Sequence, residues 1–220
     1  MPKTKAKSAF SRVLTGFTAF ILILAAAFGA GYKIGYDKGI DSASRNRNIL
    51  IVNSDNLLSA DYVPQDLVNL YEMRHSFRLA NAEIYMAREA YEPMQEMFLA
   101  AENENVNGFI ITSGYRSYDK QKEVYEQSEP GYAQKPGASE HQTGLCFDVT
   151  AMNSGDGFET TEQYKWLRAN AHKYGFIQRY PANKSNITGI SYEPWHYRYV
   201  GVDAATYIYR NNLTLEEYLN

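Results

Sequence analysis

The uncharged run from Val13 to Gly31 constrains this chain more than any other feature of its sequence. As a helix rising about 1.5 Å per residue it would span roughly 28 Å, the hydrocarbon thickness of a bilayer. Phe17, Phe20, Ile21, Leu22, Ile23, Leu24 and Phe28 make its circumference apolar, which is unlike a helix that buries one stripe against a core. Any globular domain must therefore follow it. Lys3, Lys5, Lys7 and Arg12 mark residues 1–12 as a basic cytoplasmic head, so the rest of the chain is sent outward. Residues 13–31 are read as an uncleaved, single-pass anchor in the cell membrane, with everything after them extracytoplasmic. The alternative is a cleaved signal peptide, with Ala25 and Ala27 as the small residues of the cleavage site. Residues 32–48 are polar, carry Gly35, Gly39 and Ser42, and read as a stalk. The folded domain is expected over 49–220.

A net charge of −3 leaves no broad basic face for nucleic acid, and no nucleic-acid partner is expected. With 45% hydrophobic and 21% charged residues, the balance is that of a globular chain. A single domain of this kind is expected to be a monomer. The one cysteine, Cys146, excludes an internal disulfide and a cysteine-built zinc framework. A metal would have to be held by His, Asp or Glu, and there are only four histidines: His75, His141, His172 and His196.

Met94, Met97, Phe98 and Ala101 recur at helical spacing and predict a helix over roughly 88–102, with Pro93 in its first turn. Residues 108–113 read as a strand, after which Ser117 caps a helix through Tyr125. Residues 145–149, 176–179 and 197–200 are further strands. Thr160 with Gln163 reads as a capping box for a helix carrying Trp166 and Leu167, stopped by Gly175. Thr214 with Glu217 is a second capping box for the last helix. Helices come early and strands later, without regular β-α alternation, which predicts an α+β domain with flanking helices on a small antiparallel sheet.

Two segments concentrate the residues that do chemistry. In Pro136-Gly-Ala-Ser-Glu-His-Gln-Thr-Gly-Leu-Cys-Phe-Asp148, Gly144 lets the backbone turn into a strand between His141 and Asp148. In Tyr192-Glu-Pro-Trp-His-Tyr-Arg-Tyr-Val-Gly201, His196 adds a second imidazole. Two imidazoles and one carboxylate leave a fourth tetrahedral position for water, the layout of a catalytic zinc site. Pro194 keeps Glu193 out of helix, and a carboxylate beside the metal can take a proton from that water and deliver it to a leaving amine. The same ligand types also describe a non-haem iron oxygenase, although such sites set His and carboxylate one residue apart and need no second carboxylate. His75 and His172 lack a partner motif and read as ordinary histidines. Cys146 shares a strand face with Asp148 and reads as a small packing residue. The nineteen tyrosines are read as packing, not as a sugar-binding surface.

Ser113-Gly-Tyr-Arg-Ser117, Pro136-Gly-Ala-Ser-Glu-His-Gln-Thr-Gly144 and Glu193-Pro-Trp-His-Tyr-Arg-Tyr-Val-Gly201 resemble the three signatures of the VanY-type D-alanyl-D-alanine carboxypeptidases. That family also includes L,D-carboxypeptidases and is related to the metal core of hedgehog domains. The likeness runs from about Val52 to Leu219. It implies a hedgehog/D,D-peptidase-like fold and one zinc ion (Zn2+) bound by His141, Asp148 and His196, with Glu193 as catalytic base. It also implies that Arg116 faces the site and that Gln121 and Ser139 position substrate. Arg116 would supply a fixed cation where the tetrahedral oxyanion develops. The implied activity is that of a zinc metallo-carboxypeptidase removing the terminal D-alanine from peptidoglycan stem peptides, D-Ala-D-Ala ends favoured. The alternatives are an L,D-carboxypeptidase acting on tetrapeptide stems and a catalytically silent, zinc-containing wall-binding module. Cys146 departs from the family, which usually has alanine there.

Overall fold

Residues on the two central strands alternate between core and site, and that alternation divides the molecule. The computed structural model describes residues 49–129, 133–155 and 157–220, so the expected head, anchor and stalk lie outside the described residues. In chain order the elements are β1 (Leu67–Asn69), β2 (Arg78–Leu79), β3 (Tyr85–Ala87), α1 (Arg88–Asn103), β4 (Phe109–Ser113), α2 (Tyr118–Gln127) and β5 (Cys146–Ala151). They continue with α3 (Glu162–Asn170), β6 (Phe176–Tyr180), α4 (Ser185–Thr188), β7 (Glu193–Tyr199), α5 (Val202–Asn211) and α6 (Leu215–Leu219). Among the described residues no helix is long and apolar enough to cross a membrane.

β1 pairs with β3, and the remaining strands form one sheet in the order β2-β4-β5-β7-β6. Phe147, Val149 and Ala151 of β5 and Tyr197 of β7 enter the main core with Phe109 and Ile111 of β4. Met94, Met97, Phe98 and Ala101 of α1 and Trp166 and Leu167 of α3 close that core. Phe98 is its hub, with ring centroids 4.8 Å from Phe109 and 5.8 Å from Phe147. The intervening residues Cys146, Asp148, His196 and Arg198 occupy the other face, where Asp148 is the partner of His196 and Cys146 of Arg198. On β6, Phe176 joins the main core, while Ile177 packs in a second cluster with Ala204, Ala205 and Ile208 of α5 and Leu215 and Tyr218 of α6.

The fold is α+β, but several local expectations are corrected. The sheet is not antiparallel throughout, because β2 and β4 run parallel. Parallel neighbours need a crossover, and β3 with α1 supplies it. Strands also precede the first helix, since β1, β2 and β3 are only two or three residues long and too short to show a period. Pro93 lies inside α1 and not in its first turn. The cap of α3 is Thr161, whose hydroxyl accepts from Tyr164 N at 3.1 Å, and not Thr160. Thr160 instead donates to Gly157 O within a 3-10 turn, and Gln163 donates to Asn107 O. The Thr214–Glu217 capping box is present. Helix α5 was not expected from the sequence; Ala204, Ala205 and Ile208 form its buried face.

Candidate active site

Strand pairing sets Asp148 directly opposite His196, with Asp148 Oδ1 and His196 Nδ1 2.8 Å apart. His141 reaches the same point from a 3-10 turn, Glu140–Thr143, closed by Gly144 at φ 68°, a conformation glycine adopts without strain. Its Nδ1 donates to Gly114 O at 2.6 Å, which leaves Nε2 as the lone-pair nitrogen, 3.3 Å from Asp148 Oδ2. Gly114 is needed there, since a Cβ would collide with Tyr85 O. In a tetrahedral shell with bonds of ~2.0 Å, neighbouring donors stand roughly 3.3 Å apart, so the spacing of Asp148 from both rings suits one small cation.

Cys146 is closer to this chemistry than a packing residue need be. It is fully buried, and one donor atom from each of His141, Cys146 and His196 lies within 4.8 Å of the other two. Asp148 stands 2.8 and 3.3 Å from the rings, the spacing of donors in a metal shell, and the Cys146 thiol also contacts both imidazoles. Burial opposes charge on His141, but Cys146 and Asp148 outweigh it and raise the imidazole to about 10. Burial likewise opposes the Asp148 carboxylate, yet His141 and His196 hold it well below the usual carboxylate range. A divalent cation would take the place of those imidazole protons, as metal ligation requires.

Glu193 begins β7 opposite Tyr180. Strict alternation would turn residues three apart to opposite faces, but the β6–β7 register slips between Gln178 and Tyr180. Glu193 Oε2 consequently stands 4.0 Å from His196 Nδ1. Desolvation is the main cause that raises the Glu193 carboxyl above its ordinary value, partly countered by His196. A second slip, between Ile111 and Ser113 on β4, brings Ser113 opposite Asp148 and Gly114 against His141.

Arg116 donates from Nη1 to Gln121 Oε1 at 2.9 Å and from Nη2 to Ser113 Oγ at 3.2 Å. Gln121 donates in turn to Gln134 O at 2.6 Å. Both polar atoms of Gln121 are thereby engaged within the protein, so it holds Arg116 in place more directly than it offers itself to a substrate. The Ser139 hydroxyl makes no helix-cap bond and lines the cleft. That cleft, of about 440 Å³, is also lined by Arg116, His141, Asp148, Glu193 and His196. Trp195, 40% exposed, stands on its wall. His75 stacks on Phe77 and His172 on Tyr209, and neither lines the cleft.

A buried charge network behind the site was not anticipated. Glu140 Oε1 accepts from Arg179 Nε at 2.8 Å and Arg198 Nη1 at 2.9 Å, while Oε2 is 3.4 Å from His196 Nε2. Arg179 and Arg198 have no exposed side-chain surface, and Arg179 also grips Glu216 of α6. The sequence carries a signal for it. Arg198 lies two residues beyond His196 on a strand, hence on the same face, and a buried arginine needs a carboxylate.

Two imidazoles and a carboxylate at spacings for one cation, with a raised carboxylate beside them in a substrate-sized cleft, define the class of mononuclear metallopeptidase sites. Residues 83–202 match the family model of VanY, D-alanyl-D-alanine carboxypeptidase, and the chain belongs to that family. It is 41% identical over 193 residues to YodJ of Bacillus subtilis (strain 168), covering 82% of this chain and 70% of that protein. The chain spans 53% to 70% of the length of the curated relatives it matches. Among solved structures, the LD-carboxypeptidase LdcB superposes with a TM-score of 0.70 at 41% identity, covering 78% of this chain and 86% of that one. A VanY variant from a VanB-type resistance cassette, solved in complex with Zn(II), gives a TM-score of 0.65 at 35% identity, covering 80% and 100%.

Proposed function

We propose that the chain is a zinc-dependent carboxypeptidase that removes the terminal D-alanine from peptidoglycan stem peptides, with D-Ala-D-Ala ends favoured. The observation that carries this reading is the convergence of His141, Asp148, His196 and Glu193 in one cleft with the fixed cation Arg116. Zinc, when bound by His141 Nε2, Asp148 and His196 Nδ1, supplies the Lewis acidity that acidifies a water and polarises the scissile carbonyl. Glu193 accepts the water's proton, and its raised affinity for protons suits it to deliver that proton to the departing amine. Arg116, held by Gln121 and Ser113, meets the negative charge that develops on the carbonyl oxygen, an interaction stronger in the transition state than in the ground state. Ser139 offers a neutral hydroxyl to the peptide.

The similarity to LdcB favours a second reading, cleavage after the L-centre of tetrapeptide stems by the same residues. The apolar run Val13–Gly31 with its basic flank supports an anchor that places the domain outside the membrane, among its substrates. Mass spectrometry of defined stem peptides, free or amidated at the C-terminus, tests the substrate. Release of one D-alanine from free pentapeptide ends, with amidated peptides resistant, is expected. Equal cleavage of free and amidated peptides would mean an endopeptidase, and release from tetrapeptides alone would mean the second reading.

A further inference from the structure

A histidine can offer a metal only one nitrogen at a time, and the proton on the other is set by what that nitrogen faces. For His141 the partner is Gly114 O, an obligate acceptor. For His196 it is the Glu140 carboxylate, 3.4 Å from Nε2. We propose that Glu140 is a positioning residue: it accepts the Nε2–H of His196 as a hydrogen bond, keeps the proton on that nitrogen, and so leaves the Nδ1 lone pair beside Asp148 for the metal. This inference rests on the zinc reading above.

Three features of the site lead to this assignment. Glu140 Oε1 is already committed to the guanidiniums of Arg179 and Arg198, at 2.8 and 2.9 Å, so Oε2 is the oxygen left for His196. Glu140 faces two buried guanidiniums, which can only donate, so it is held in the site as an acceptor. The carboxylate cannot rotate away, because Arg179 is itself pinned by Glu216 of α6 and Arg198 by Leu50 O at 2.7 Å. The charge network is thus a fixed acceptor aimed at one nitrogen of His196, and it ties the last helix of the chain to the metal face.

Glu140→Gln separates positioning from packing. The two guanidiniums demand an acceptor where Oε1 stands, so the glutamine carbonyl must take that place and its amide nitrogen must face His196. A donor there forces Nε2 to accept and moves the imidazole proton to Nδ1, where it blocks the metal. In zinc-loaded wild-type protein, nitrogen-15 NMR should show His196 protonated at Nε2 and ligated through Nδ1. In Glu140→Gln the proton should move to Nδ1 and the zinc Kd should rise about 10- to 100-fold, as losses of such outer contacts typically do. A purely structural glutamate would lower the unfolding midpoint without moving the proton. Ligation of wild-type zinc through Nε2 would overturn the proposal, as would a folded variant with wild-type proton position and Kd. If the variant fails to fold, the wild-type spectrum decides. A wild-type protein that takes up no zinc would instead overturn the functional reading, and this proposal with it.

Discussion

Asp148 and Cys146 compete for the same role at the scale of single residues. Both lie on the site face of β5, and both face the two imidazoles. The carboxylate is 2.8 and 3.3 Å from His196 and His141, the spacing of donors around one cation, and it is the ligand that the family signature implies. Asp148→Ala should therefore lose bound zinc, whereas Cys146→Ala should keep about one equivalent. Metal analysis of the two purified variants checks this. Retention in Asp148→Ala together with loss in Cys146→Ala would make the thiol the third ligand.

At the scale of elements, the site depends on the sheet keeping its register, and the register depends on the core beneath it. Phe147 lies between Cys146 and Asp148 and packs on Phe98, Phe176 and Tyr197 with ring centroids 5.8, 5.3 and 5.8 Å away. Phe147→Ala should cost about 3–5 kcal/mol of unfolding free energy, read from chemical denaturation. A loss below about 1 kcal/mol would mean that this strand is not anchored through that ring. Helix α1, strands β4, β5 and β6 and the last capping box were legible because each carries several apolar residues at one period or a two-residue cap. The short strands β1, β2 and β3 and the cap of α3 were not, since two or three residues fix no period and Thr160 and Thr161 offer the same hydroxyl. The residues His141, Asp148, Glu193 and His196 could be picked out as a group because they crowd two short segments. Their common face could not, because the slip between Gln178 and Tyr180 is a property of pairing, not of either strand alone. Glu140 was hidden for the same reason: its partners Arg179 and Arg198 come from β6 and β7 and meet it only in the fold.

For the whole molecule, the expected topology joins an anchor at residues 13–31 to an extracytoplasmic domain at 49–220. Full-length protein should sediment with membranes, and protease added to intact cells should reach the domain. Protection until lysis would contradict that orientation. What the molecule does turns on Glu193 being a base and not a ligand. Glu193 stands 4.0 Å from His196 Nδ1, beyond Asp148 at 2.8 Å, so zinc should be held without it. The direct measurement is zinc content and turnover of Glu193→Ala on a stem pentapeptide. About one equivalent of zinc with turnover reduced roughly 10²–10⁴-fold is expected, the usual contribution of general acid–base catalysis. Wild-type turnover in the zinc-loaded variant would contradict the role given to Glu193.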